Sequence, residues 1–262
     1  MKNNKTILST SNLSIGYKSK QETITIANSL NLNLIEGKLI TLVGGNGIGK
    51  STLLRTLNGI QKPIVGEVYL NEKNIENYSS LALAQNLSVV LTEKLPPSNL
   101  TVYELVALGR QPYTNWIGKL SELDITKIEN AIQLTGIKSF QTKRHYQISD
   151  GQLQKVLIAR ALAQDTPLII LDEPTTHLDL LHKVAVFKLL KKLSEETGKC
   201  ILFSTHDIDL AIQLSDEMIV MTTDNCIQDE PCKLIKDGIF NTLFVDQNIF
   251  FDEEKGKFIF KQ

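Results

Sequence analysis

Cysteine is scarce: three in 262 residues, Cys200, Cys226 and Cys232. The odd count and the lack of metal-type pairing exclude a disulfide framework and a cysteine zinc site, and they fit a reducing compartment. Net charge is nearly absent, at a formal -1. No global attraction to nucleic acid or to an anionic membrane is expected from it. Long hydrophobic runs are missing too. Stretches such as VLIARALA are broken by charge and are far too short to span a bilayer. The first ten residues, MKNNKTILST, carry lysines with no apolar core behind them, unlike a secretory signal. Repeats, low-complexity tracts and Gly/Ser linkers are also absent. With 42% hydrophobic and 22% charged residues, the chain has the composition of an ordinary globular protein. Its length suits one large domain or two small ones. Any membrane process would be served from the water side, through a partner.

Strand and helix signals alternate. KLITLVGG is an apolar run ending in glycines, and KSTLLRTLNG then reads as a helix closed by Asn58-Gly59. PLIILDEP is the continuous apolar run of a buried parallel strand. The amphipathic helix LDLLHKVAVFKLLKKLSEETG follows it and ends at Gly198. KCILFSTHD reads as another strand, IDLAIQLS as a helix and DEMIVMT as a further strand. Repeated β-then-α order predicts an α/β fold, a parallel sheet covered by helices. Over about residues 96–164 the pattern turns helical, with a capping box at Thr101 and Glu104, which predicts a helical insertion in the α/β core. The tail NIFFDEEKGKFIF alternates around Lys255-Gly256 and predicts a terminal hairpin within an extension over 244–262.

The sequence GGNGIGKST satisfies the P-loop pattern: Gly44, four residues, Gly49, Lys50, Ser51. Glycines let the backbone curl so that N–H groups face phosphate oxygens, and the following helix points its positive end at them. Lys50 would reach the β- and γ-phosphates, and Ser51 would ligate Mg²⁺. A chance match in a chain of this length has odds of roughly 1 in 100. LIILDEPTTHLD delivers Asp172 and Glu173 to the carboxyl end of a strand, where ligands bind in open α/β sheets. Asp172 can hold Mg²⁺ through water, and Glu173 can orient and deprotonate an attacking water. His206, in FSTHD, also follows an apolar strand; a neutral imidazole there could hydrogen-bond a γ-phosphate.

In this order the pieces resemble the nucleotide-binding subunit of ABC transporters over nearly the whole chain. ISDGQ at 148–152 resembles the family signature Leu-Ser-Gly-Gly-Gln, and THLD at 176–179 resembles its D-loop. The resemblance implies a P-loop NTPase core with a parallel-rich sheet, an N-terminal antiparallel β portion and an inserted helical subdomain, together spanning residues 7–243. It implies that Gly44, Gly45, Asn46, Gly47, Ile48, Gly49, Lys50, Ser51 and Thr52 bind ATP and that Tyr17, in LSIGYKS, stacks on adenine. Base stacking on an aromatic is tolerant of base identity. It also implies that two copies pair head to tail. Ser149, Gly151 and Gln152 would then act on the partner's ATP, and Asp179 would make a contact across the dimer. Closure would drive a membrane permease, placing the chain at the cytoplasmic face of the membrane, and hydrolysis would reset it.

Two positions depart from the family. Asp150 replaces the first signature glycine. A carboxylate about 4 Å from a phosphate would cost about 4 kcal/mol at an effective dielectric of about 20, so Asp150 is expected to point away from ATP. It is expected to cap the helix beginning at Gly151–Leu153. In VVLTEKLPP, Glu93 stands where the family has a glutamine near Mg²⁺; a carboxylate can still ligate the metal but accepts hydrogen bonds only.

TVYELVALGRQPYTNW, with EPTTHLD, resembles the importer branch that serves iron–siderophore, haem and cobalamin permeases. Iron–siderophore is the first expectation for the cargo, with haem or cobalamin next. A substrate-binding protein would be met only indirectly. The alternative is a soluble ABC-type ATPase acting on nucleic acid or another non-transport partner. Against it stand the near-neutral charge, a single P-loop, and the lack of a heptad run between residues 50 and 149. A small-molecule kinase would explain the P-loop but leave SDGQ, THLD and His206 without roles.

Overall fold

Strands that are apolar at every position need cover on both faces, and the architecture supplies it. The computed structural model describes residues 5–19, 22–91, 98–223, 225–243, 249–253 and 256–260. Glu93, expected near the metal, lies outside these residues. Near the N-terminus, β1 (Thr6–Lys18) pairs antiparallel with β2 (Thr23–Leu30) and β3 (Asn33–Ile35). The apolar run at 38–45 forms β4 (Leu39–Gly44), and the glycine-rich turn then opens α1 (Lys50–Leu57). β5 (Val65–Leu70) returns to pair antiparallel with β1, and β6 (Lys73–Asn74) pairs with β5. One antiparallel sheet results, in the order β2-β1-β5-β6, with β3 also on β1.

After α2 (Ser80–Ala84) and β7 (Leu87–Val90), three helices precede the next strand: α3 (Val102–Ala107), α4 (Glu122–Thr135) and α5 (Asp150–Ala163). Each begins with a capping box, formed by Thr101 with Glu104, Ser121 with Asp124 and Ser149 with Gln152. Then come β8 (Leu168–Leu171), α6 (Leu180–Thr197), β9 (Cys200–Ser204), α7 (Ile208–Leu214), β10 (Glu217–Met221), β11 (Cys226–Asp229) and α8 (Pro231–Lys236). Six strands form the second sheet in the order β11-β10-β4-β9-β8-β7; only β10–β11 is antiparallel. At the C-terminal end, β12 (Ile249–Asp252) pairs antiparallel with β13 (Lys257–Phe260). Phe251 stacks on Phe240 at 4.9 Å between ring centres.

The parallel sheet separates two cores. Leu39, Val43, Ile169 and Leu171 face the helices, among Phe187, Leu190 and Val156. Ile40, Leu42, Leu168 and Ile170 face the antiparallel sheet and α1, among Leu8, Leu13, Leu53 and Leu57. Alternation along β4, β8 and β9 thus buries their side chains on both faces, which is why these strands read as unbroken apolar runs. Each such side chain contributes about 1.5–3 kcal/mol of burial. The sheet is therefore a rigid base for whatever stands at its strand ends.

Candidate functional site

The carboxyl ends of β4, β8 and β9, neighbours in the sheet, carry the chemistry. After β4 the chain turns through Gly47 at φ 74° and Gly49 at φ 109°, which is the N-cap of α1. A side chain at Gly49 would be strained there, and its Cβ would lie 2.3 Å from Ile26 Cγ2. Lys50 is the first helical residue and only 6% exposed. Its Nζ donates to the carbonyls of Gly44 at 3.0 Å and Gly45 at 3.1 Å, so the amine is folded back over the loop. Burial pushes this amine below its ordinary range, while the Glu173 and Asp172 carboxylates pull the other way.

From β8, Asp172 and Glu173 arrive side by side. The Ser51 hydroxyl donates to Asp172 Oδ1 at 3.4 Å, and the Ser204 hydroxyl, from the end of β9, donates to the same oxygen at 2.7 Å. Ser204 also accepts from the Glu173 backbone N–H at 2.8 Å. Glu173 itself has φ 47°, an unusual backbone for a residue with a Cβ, and it turns the carboxylate out of the strand line. Its Oε1 lies 2.7 Å from His206 Nε2, and its Oε2 accepts from the Thr176 hydroxyl at 3.0 Å. A carboxylate only accepts, so His206 Nε2 carries the hydrogen.

Glu173 and His206 open, with Lys50 and Ser51, on one cavity of about 280 Å³, lined also by Tyr17, Asn46, Gly47, Gly49 and Thr52, with Ile26 closing one side. Tyr17 is 51% exposed at the rim, and its hydroxyl is 3.0 Å from Thr52 Oγ1. Gly44 lies behind the cavity, held too close to Met221 O for a side chain, and Gly45 and Ile48 complete the turn.

The signature residues and Asp179 are not among the residues lining this cavity. Ser149, with extended backbone at φ −71° and ψ 162°, is the N-cap of α5 and accepts from Gln152 N, while the Gln152 side chain accepts from Ser149 N. This corrects the expectation for Asp150, which does not cap the helix but is its exposed first residue. A serine with a glutamine three positions on takes the cap, and Asp150 keeps only the favourable charge at a helix N-terminus. Asp179 is the N-cap of α6. The hydrogen bonds it accepts from the backbone and ring of His182 hold its carboxyl below the usual range.

Sequence reasoning missed Ser204, Thr176 and the group around Asp207. Thr175 donates to Asp207 Oδ2 at 2.9 Å and Lys183 to Oδ1 at 2.7 Å, tying α6 to the segment that carries His206. Ser204 and Asp207 meet their partners only across the fold, 24 to 32 residues away in sequence, whereas Thr176 lies within THLD but its bond to Glu173 is not marked by that motif.

Comparison with known proteins agrees with this geometry. The protein-family model described as ABC transporter matches residues 27–176. The chain is 40% identical over 222 residues to an iron(3+)-hydroxamate import ATP-binding protein of Bacillus subtilis, covering 85% of this chain and 81% of that one. It is 37% identical over 240 residues to an achromobactin transport ATP-binding protein of Dickeya dadantii, covering 91% and 88%. Among solved structures it resembles the dimeric bacterial ABC transporter cassette MJ0796, with a TM-score of 0.72 and 29% identity over 86% of this chain and 99% of that one. A P-loop, Glu173 and a histidine lining one cavity, with Asp172 hydrogen-bonded to Ser51 beside it, on a chain related to these proteins over most of its length, lead to one conclusion: the chain belongs to the ABC transporter family, as an ATP-binding and ATP-hydrolysing subunit.

Proposed function

We propose that this subunit powers an importer, ATP drawing two copies together head to tail and their closure driving a membrane permease. The observation that carries the reading is the convergence of Lys50, Ser51, Glu173 and His206 on one cavity. Lys50 swings from the loop carbonyls to the β- and γ-phosphates, beside the N–H groups of residues 44–52, and the Tyr17 ring takes the adenine at the rim. The Ser51 hydroxyl and Asp172 carboxylate are hard oxygen donors 3.4 Å apart, a set that fits Mg²⁺, which needs few protein ligands beside phosphate oxygens and water. When bound, Mg²⁺ neutralises charge on the phosphates.

Glu173 accepts the proton of the attacking water, acting as general base. The N–H of His206, directed at Glu173 Oε1, is placed to be shared with a γ-phosphate and so to register its loss. Ser149, Gly151 and Gln152 engage the ATP of the second copy, and Asp179 meets that copy across the interface. No helix among the described residues is long and apolar enough to cross a membrane. The subunit works at the cytoplasmic face through permease subunits, meets a substrate-binding protein only through them, and has no nucleic-acid partner. The relatives named for iron(3+)-hydroxamate and achromobactin transport support an iron–siderophore cargo, ahead of haem or cobalamin. Light scattering on Glu173→Gln with and without Mg-ATP tests the reading. An ATP-dependent dimer is expected; a persistent monomer with ATP bound overturns action in trans.

A further inference from the structure

Gly151 has a neighbour that the nucleotide site does not explain. A Cβ built on it would lie 2.5 Å from His182 Cδ2, 3.1 Å from Cγ and 3.2 Å from Nε2. The imidazole therefore lies against the glycine Cα, in space that any side chain would need. The other side of the ring is tied down. His182 is the third residue of α6, and Asp179 Oδ1 accepts from its backbone N–H at 2.9 Å and lies 2.8 Å from its ring Nδ1. A carboxylate cannot donate, so Nδ1–H is the donor and the ring orientation is fixed. Two helix starts far apart in sequence, one carrying Ser149 and Gln152 and the other carrying Asp179, thus meet through one ring.

We infer that His182 is a positioning residue, a strut that sets the turn before α5 against the turn before α6. The two surfaces offered to the second copy then move as one. The inference rests on the reading that both turns act across a dimer. Leu180 and Leu181, beside the strut, are 68% and 81% exposed, apolar surface continuous with Asp179 that a second copy would cover. On this account Gly151 is glycine because the ring occupies its side-chain space, whatever the nucleotide also requires. The strut takes no part in the chemistry. It acts on how tightly the two copies close around ATP, leaving Lys50 and its cavity untouched.

Two measurements test this. The first is a thermal-unfolding cycle on the full chain without nucleotide, with Gly151→Ala, His182→Ala and the double variant. Gly151→Ala should lower the midpoint in the wild-type background. In the His182→Ala background it should raise it, because alanine is the better helix former once the ring is gone. The same lowering in both backgrounds overturns the strut. The second is ATP-driven dimerisation in the Glu173→Gln background. His182→Ala should shift the ATP midpoint upward roughly tenfold, while ATP affinity of the monomer stays unchanged. An unshifted midpoint overturns the coupling to closure. If Glu173→Gln itself never dimerises, action in trans fails and the coupling with it, and the unfolding cycle alone still decides the contact.

Discussion

The Ser204 hydroxyl does two things at once, donating to Asp172 Oδ1 and accepting from the Glu173 backbone N–H, and its side chain is fully buried. Leaving a buried N–H without that acceptor costs about 1–3 kcal/mol. Ser204→Ala should therefore lower kcat roughly tenfold with little change in KM for ATP, since the carboxylates and not the P-loop are disturbed. Steady-state ATPase assays check this, and Ser204→Thr, which keeps a hydroxyl, should recover part of the rate. Residues 44–52 are legible from sequence because their geometry is local: a loop that curls on its own glycines. Ser204 is not, because its partners lie 31 and 32 residues away and meet it only when β8 and β9 pair. Asp150 shows a subtler limit. Ser149 and Gln152 stand at capping-box spacing in plain view, yet by residue type alone the acidic residue between them is an equally good cap.

At the scale of elements, α5 joins the proposed signature to the helical region, and its far end is fixed by a buried ion pair. Arg110 donates to Asp124 at 2.8 Å and to the Ala163 carbonyl at 2.8 Å, with both charged side chains no more than 5% exposed. Burial alone would raise the Asp124 carboxyl; hydrogen bonds from Ser121 and Arg110 outweigh it and hold the group below its ordinary range. A depressed carboxylate contributes stability that is complete above its unfolded value of about 3.9 and is lost as pH falls through the folded value. Arg110→Ala should cost about 3–5 kcal/mol near neutrality by stranding that carboxylate, and the difference from wild type should shrink on acidification below about pH 4. Urea unfolding at both pH values measures it. Elements buried on both faces, β4, β8, β9 and β10, were the easiest to read, because burial forces an unbroken apolar run. The order of strands across the sheet could not be read, since nothing local in LITLVG says that its neighbours begin at Cys200 and Glu217.

At the scale of the whole molecule, a ligand that binds only the folded chain stabilises all of it. With ATP at about a hundredfold over its dissociation constant, the gain is about 2.7 kcal/mol. Calorimetric scans should show a clear upward shift in the wild type and none in Lys50→Ala, and a shift retained by that variant would contradict the P-loop assignment. The sheet order adds a consequence for how the protein comes into being. β4 ends in the P-loop, but it lies between β9 and β10, which are contributed by residues 200–221. A chain emerging from the ribosome exposes the P-loop sequence early and cannot seat its strand until more than 150 further residues have been made. Nucleotide binding thus waits on late synthesis: a half-made subunit has the phosphate-binding sequence but lacks the strands that flank β4 and hold it.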